Sequence, residues 1–258
     1  MTKWVLVLFS CIIFRSYSCE LDVRLEEFSP ESQKNELNNW VGIDMELTQA
    51  LLTEVGCSFQ VLEISWARAL FMLERGDLDV ILNVSKTKKR EDKYYFIGPI
   101  RSEVIVFATF KKTIAPLRTI EDILKLDKPI AIQRNAYYGE EIEYYLQQKD
   151  YDESFVHVAN NETKLKLLKR GRISGFLEAK RNVIHGINND SNFTGIWFPE
   201  VIIHQDPTYF ALSKKSVSKE LKQKISEGFS RLVARGKIEE IILKHEQGHL
   251  PATIIKEK

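Results

Sequence analysis

The chain has 258 residues, 44% of them hydrophobic and 28% charged, which is enough for one large or two small soluble domains. Its 37 basic and 36 acidic residues leave a formal charge of +1. That balance excludes a broad basic field for nucleic acid and a long acidic tail.

Lys3 opens the chain and an almost unbroken apolar run follows from Trp4 to Phe14. The run is shorter than the ~20 residues a membrane-crossing helix needs, and it suits the core of a secretory signal. Ser16 and Ser18 place small residues ahead of a cut before Cys19, so residues 1–18 read as a signal peptide and the protein as periplasmic. A buried N-terminal strand or an uncleaved anchor is the plainer alternative. Cleavage leaves 35 basic and 36 acidic residues, a mature charge of −1. It also removes Cys11 and leaves Cys19 and Cys57. Cys19 is one site for a lipid anchor, although Ser16 stands where lipoprotein signals usually carry a leucine-like residue. A Cys19–Cys57 disulfide is the other reading, because each cysteine lies just ahead of an expected strand and neighbouring parallel strands start at one sheet edge.

Beyond the signal, β-rich runs alternate with amphipathic helices. Leu21–Leu25 reads as a strand. Ile43–Val55 carries Leu47, Ala50, Leu51 and Val55 at helical spacing and stops at Gly56. Ser58–Ile64 is expected to be a strand, Trp66–Arg75 a helix ended by Gly76, and Val80–Val84 a buried strand. Such βαβ units predict a parallel sheet covered on both faces. A second series follows the strand Val104–Phe110. It comprises strand Pro129–Ile132, helix Tyr138–Gln148, strand Phe155–Ala159, a helix from about Glu162 to Lys169 capped by Asn161, strand Ile173–Leu177 and a helix over Ala179–Ile187. Strand Thr208–Leu212 and helices Lys219–Ala234 and Lys237–His245 complete the chain. Two small α/β series in succession predict two lobes, each a mainly parallel sheet flanked by helices, joined by two hinge crossings. The expected bounds are 19–107 for the first part of lobe 1, 108–206 for lobe 2, and 207–258 for the return to lobe 1 with the C-terminal helices. Ligands of such sheets sit beyond the carboxyl ends of the strands, which here face a cleft between lobes.

Gly42-Ile-Asp-Met-Glu-Leu47 followed by Leu51 resembles the signature of the family 3 bacterial solute-binding proteins, the polar amino-acid class. Leu52 departs from it, standing where the family usually has a small residue. The segment from Trp66 through Arg75-Gly-Asp-Leu-Asp79 looks like the family's aromatic–helix–Gly–x–x–Asp block. Asn83-Val-Ser85-Lys-Thr87-Lys-Lys-Arg90 looks like its Ser–x–Thr–x–x–Arg block, and Tyr95-Phe-Ile-Gly-Pro99 its Phe–Ser–x–Pro. The stretch from Thr208 to Lys244 also fits. The resemblance implies a type II periplasmic-binding-protein fold; a monomer with no cofactor and no metal is expected.

The resemblance also implies that Arg90 and Ser85 hold the α-carboxylate of a ligand. The chemistry agrees: Thr87 can cap a short helix whose free N–H groups favour an anion, and a guanidinium three residues on offers a carboxylate two parallel hydrogen bonds. Asn83 and Ser85 would add neutral donors. The bland reading of Arg90 is membership of the solvated run Lys86 to Arg90, and Lys86, Lys88 and Lys89 are read as surface charge. Trp66 stands where the family puts an aromatic wall, with a core tryptophan as the alternative. Phe28 is a second wall or a core residue. Arg68 either meets a second acidic group or lies on the surface. In the second lobe, Gln133-Arg-Asn-Ala-Tyr-Tyr-Gly139 resembles the family's other anion-facing turn but lacks its glycine; Asn135 takes the polar slot and Tyr137 would close over the ligand. Gly171-Arg-Ile-Ser-Gly-Phe-Leu-Glu178 resembles the Gly–Arg–x–Asp block, with Ser174 in place of the acid. Glu178 is the residue to pair with a ligand ammonium, or a surface glutamate at a helix start.

These features predict a binding protein that captures a small carboxylate, an amino acid above all, by hinge closure and delivers it to an ABC-type transporter. A dehydratase on the same fold, acting on prephenate-like or arogenate-like acids, is the alternative, with Glu178 as its general acid. The five histidines are scattered, with no metal spacing, and no glycine-rich phosphate loop is present. A third reading is a sensor docking on a membrane receptor.

Overall fold

The computed structural model describes residues 19–110 and 116–246. The expected signal peptide and Cys11 therefore lie outside the described residues. The elements run in the order β1 (Cys19–Leu25), β2 (Gln33–Lys34), β3 (Trp40–Val41), α1 (Ile43–Glu54), β4 (Cys57–Glu63), α2 (Trp66–Arg75), β5 (Val80–Ser85), α3 (Lys88–Glu91) and β6 (Tyr94–Phe110). There follow α4 (Ile120–Leu124), β7 (Ile130–Gln133), α5 (Glu140–Tyr145), a 3₁₀ turn at Lys149–Ser154, β8 (Phe155–Val158), α6 (Asn161–Lys169), β9 (Gly175–Ala179) and α7 (Lys180–Asn189). A 3₁₀ turn at Ser191–Phe193, β10 (Ile196–Trp197), β11 (Ile202–Ser213), α8 (Lys219–Ala234) and α9 (Lys237–Glu246) complete the described chain.

The local chemistry explains these elements. In α2, Trp66, Ala69, Leu70 and Leu73 fall on one buried face at helical spacing. The helix stops at Gly76, which takes a left-handed conformation (φ 89°) and gives its N–H to the Met72 carbonyl at 3.0 Å. α1 buries Ile43, Leu47, Leu51 and Leu52. Gly42 precedes it at φ 116°, and a Cβ there would sit 2.5 Å from the Glu31 carbonyl oxygen, so only glycine lets the 30–31 loop lie against the helix start. The same approach lets Asp44 N–H donate to the Glu31 carbonyl at 2.8 Å.

The protein is two-lobed, as the alternation of elements predicts. In one lobe β4, β1 and β5 are parallel; in the other, β9, β7 and β8 are parallel. The antiparallel pair β6 and β11 runs between them, giving the sheet order β4-β1-β5-β11-β6-β9-β7-β8. Each parallel set carries core on both faces. Leu21, Leu47, Val80 and Phe229 pack on one side of the first lobe, and Ala69, Leu73, Ile81 and Val84 on the other. In the second lobe the corresponding pairs of layers hold Phe107, Ile123, Ile132 and Leu177, and Ala131, Phe176, Val183 and Ile196. Burial of these side chains supplies the main driving force of the fold, roughly 25 cal/mol per Å² of apolar surface removed from water.

The structure differs from the sequence reading at several boundaries. The strand expected over Val104–Phe110 is the end of the 17-residue β6, because Gly98 and Pro99, which punctuate most sequences, lie within the ladder against β11. The helix expected over Tyr138–Gln148 is reduced to α5, since the Tyr138 hydroxyl accepts the Gln133 N–H at 2.9 Å and folds residues 134–138 back over the strand end. Asn160, not Asn161, caps α6: its side chain accepts the Thr163 N–H at 3.1 Å. The strand expected over Ile173–Leu177 begins at Gly175, because residues 171–174 form a turn in which the Ser174 N–H reaches the Pro129 carbonyl at 3.0 Å.

Cys19 and Cys57 are register partners on β1 and β4, with Cα atoms 4.6 Å apart, and are joined by a disulfide. A sulfur so bonded is not available for a lipid thioether, so the structure favours the bridge over the anchor. None of the helices among the described residues is long and apolar enough to cross a membrane.

Candidate functional site

β5 carries the chain to Ser85 at the gap between the lobes. The Thr87 hydroxyl then accepts the Arg90 N–H at 3.3 Å and starts the one-turn α3. That turn sends the Arg90 side chain back across the strand end. One guanidinium nitrogen donates to the Ser85 carbonyl and another to the Asn135 carbonyl, each at 3.0 Å. Arg90 therefore spans the two lobes, with no carboxylate among its hydrogen-bond partners in the described residues. Burial draws its pKa down, against the opposing pull of Tyr94, Glu143 and Tyr137.

Trp66 forms the adjoining wall. It is buried, and its indole N–H donates to the same Asn135 carbonyl at 3.3 Å. The Arg24 guanidinium lies over its ring, 5.3 Å from the centroid. Arg24 also donates to the Ile64 carbonyl at 3.2 Å and pairs with Glu26. Phe28 closes one side of the gap and Tyr137 another, the latter edge-on to His204 at 5.3 Å between centroids.

These residues enclose a cavity of about 70 Å³. That is below the ~300–1,000 Å³ usual for small-molecule sites, and Arg90 and Trp66 on one side touch the Asn135 carbonyl on the other. Seven of the residues singled out from sequence line it: Phe28, Trp66, Asn83, Ser85, Arg90, Tyr137 and Glu178. The side chains of Thr87 and Asn135 do not; both line an outer groove on the far side of Arg90. Asn135 is exposed in the left-handed region (φ 64°), which turns its carbonyl rather than its amide inward. Arg68 is exposed, as its surface reading implies.

Two of the lining residues are already engaged. Asn83, also left-handed at φ 58°, gives its amide to both Asp44 oxygens, at 2.9 and 2.8 Å. Its donor is thus turned away from a ligand and towards α1. Glu178 accepts the Lys164 ammonium at 2.9 Å and the Ala179 N–H at 2.8 Å. Lys164 is only 1% exposed and also donates to the Leu177 carbonyl at 2.9 Å. Burial pulls the pKa of Lys164 down, but Glu178 beside it prevails and leaves it raised. The charge of Glu178 is matched within the second lobe.

Sequence reasoning missed Arg24, Glu26, Glu103 and Lys164, and missed a polar clasp at the edge of the gap. There the buried Glu31 accepts Arg101 at 2.8 Å and the Asn182 amide of α7 at 2.5 Å, and Asn182 also donates to the Ser29 carbonyl at 2.8 Å. Burial lifts Glu31 to about 7 despite the opposing Arg101. No sequence signal marks this group: Arg24 lies in Leu21-Asp-Val-Arg-Leu-Glu-Glu27 and Lys164 in Glu162-Thr-Lys-Leu-Lys166, each among other charges. Among the described residues no three His, Cys, Asp or Glu side chains are grouped to hold a metal ion.

The profile of the bacterial extracellular solute-binding proteins, family 3, matches residues 23–247. No curated protein matches the chain. Among solved structures, an amino acid ABC transporter substrate-binding protein, AbpA, of Streptococcus pneumoniae, bound to L-arginine, superposes with a TM-score of 0.75 at 22% identity, covering 90% of this chain and 96% of its own. A histidine kinase sensor domain with similarity to periplasmic binding proteins gives 0.75 at 20% identity, covering 88% and 95%. The ancestral amino acid-binding protein AncCDT-1, a precursor of cyclohexadienyl dehydratase, gives 0.71 at 18% identity, covering 87% and 94%. At these identities the likeness is one of fold.

Proposed function

The chain belongs to the bacterial extracellular solute-binding proteins, family 3, and from that premise we propose that it captures a small carboxylate-bearing solute, above all an amino acid, between its lobes. Delivery to an ABC-type membrane transporter from the periplasm completes the proposal. The observation that carries it is Arg90, a guanidinium at the cavity wall held by two neutral carbonyls, Ser85 and Asn135. A carboxylate entering the cleft would offer two charged acceptors in place of two neutral ones, a stronger and bidentate arrangement. Trp66 and Phe28 would supply apolar walls, and Ser85 a hydroxyl.

The mechanism we propose is hinge closure. The lobes divide at about residues 107 and 207, where β6 and β11 cross, and ligand contacts from both sides favour the closed form over the open one. Arg90, Trp66 and the Asn135 carbonyl meet across that division, so they form the contact that opening must break and a ligand must rebuild. Catalysis on the same fold is the weaker reading. Its expected general acid, Glu178, already holds Lys164 and the Ala179 N–H with its two oxygens. A thermal-shift screen of amino acids, opines and small dicarboxylates tests the proposal, since a solute that binds only the folded protein raises its unfolding midpoint. A midpoint that none of them moves, or an Arg90→Ala variant that responds as the wild type does, would overturn it.

A further inference from the structure

We infer that Glu103, on the crossing strand β6, is the receptor for a cationic group of the bound solute, the ammonium in the case of an amino acid. The inference rests on the reading of the cleft as a solute site and deepens it. Side chains at positions 101, 103 and 105 share one face of β6, by the period of two along a strand. On that face Arg101 turns to Glu31, while Glu103 and Ile105 line the cavity that Arg90 lines.

Four carboxylates reach that cavity, and three are matched. Glu26 pairs with Arg24, Asp44 takes the Asn83 amide on both oxygens, and Glu178 holds Lys164. The Glu103 side chain has no hydrogen bond and no ion pair among the described residues. Burial lifts it to about 7, against the downward pull of Arg101 and with the upward push of Glu31, Glu178 and Asp44. Of the two cations on the wall, Arg24 has its carboxylate and Arg90 has only carbonyls. One cation and one anion on a shared cavity are thus without a direct ion pair among the described residues, the charge pattern of a zwitterion turned inside out. Glu103 also lies in the ladder opposite Asp206 of β11, the other crossing strand. Glu103 precedes the division at about residue 107, so it stays with the first lobe and Arg90 and can engage the solute before the lobes meet.

The test titrates the wild type, Glu103→Gln, Glu103→Asp and Arg90→Ala by calorimetry with the proteinogenic L-amino acid that gives the largest thermal shift, and with the N-acetyl derivative of that amino acid. We expect Glu103→Gln, near-isosteric with the wild type, to unfold at neutral pH no lower than the wild type does without ligand, and to lose affinity about 10- to 100-fold, the range for a hydrogen bond to a charged group. Glu103→Asp keeps the charge but retracts it, and should lie between the two. The N-acetyl derivative should bind the wild type weakly and Glu103→Gln no worse. If Arg90→Ala abolishes binding while Glu103→Gln stays within about twofold of wild type, the role of Glu103 is overturned and the cleft reading stands. If neither variant matters, or no amino acid binds, both are overturned. Equal binding of the N-acetyl derivative overturns the role of Glu103 alone.

Discussion

Replacing Lys164 by methionine separates a structural role for Glu178 from a ligand-binding one. The ammonium is 1% exposed, 2.9 Å from Glu178 and 2.9 Å from the Leu177 carbonyl. Methionine fills much of the same volume but leaves the Glu178 carboxylate buried without its cation. Breaking one partner of a buried pair costs about 3–5 kcal/mol, because the remaining charge keeps its desolvation penalty. For a domain of this size each kcal/mol lowers the midpoint by roughly 2–4 °C, so a fall of about 6–20 °C is expected. The double variant Lys164→Met/Glu178→Gln removes both charges and should recover most of the loss, because replacing a buried pair is often near neutral. Calorimetric unfolding of the wild type, both single variants and the double gives the coupling directly. A Lys164→Met protein within about 1 kcal/mol of wild type would refute the reasoning, for it would mean that Glu178 needs no internal partner.

Three further outcomes follow from the structure. Cys57→Ser should lower stability in urea by about 4 kcal/mol on the chain-entropy estimate for a separation of 38 residues, while leaving solute affinity near wild type, since the bridge lies away from the cavity. Glu31 and Glu103 have folded pKa values raised from 4.5 to about 7, so the folded state holds more protons than the unfolded one between those values. Their contribution to stability is therefore greatest below about pH 4.5 and declines as pH rises towards 7, and Glu103→Gln should flatten that part of the midpoint–pH curve. The same titration makes amino-acid binding at pH 6 expel a proton from Glu103, with Arg101, Glu31, Glu178 and Asp44 as the charged groups around it. Calorimetry in buffers of different ionisation heat should find that release in the wild type and lose it in Glu103→Gln.

The fold was largely legible because its elements are local. Apolar spacing in α1 and α2, the stop at Gly76, and the Ser85–x–Thr87 cap each depend on residues within a few positions of one another. The capped turn explains why Arg90 could be placed from sequence: its direction follows from Thr87, three residues away. Lys164 and Glu178 meet across 14 residues, Arg101 and Glu31 across 70, and Asn182 and Glu31 across 151, so no local pattern announces them. Glu178 and Asn83 were visible as polar residues at strand ends. What the sequence does not encode locally is which neighbour saturates them, and here Lys164 and Asp44 do. Glu103 escaped notice for the related reason that one glutamate in a long strand has no motif, and its distinction is a partner it lacks.

The most direct measurement is a crystal structure with the L-amino acid that most raises the unfolding midpoint. A carboxylate is expected within hydrogen-bonding distance of the Arg90 guanidinium, in place of one or both of the Ser85 and Asn135 carbonyls. A ligand bound elsewhere, with Arg90 still on those two carbonyls, would contradict it.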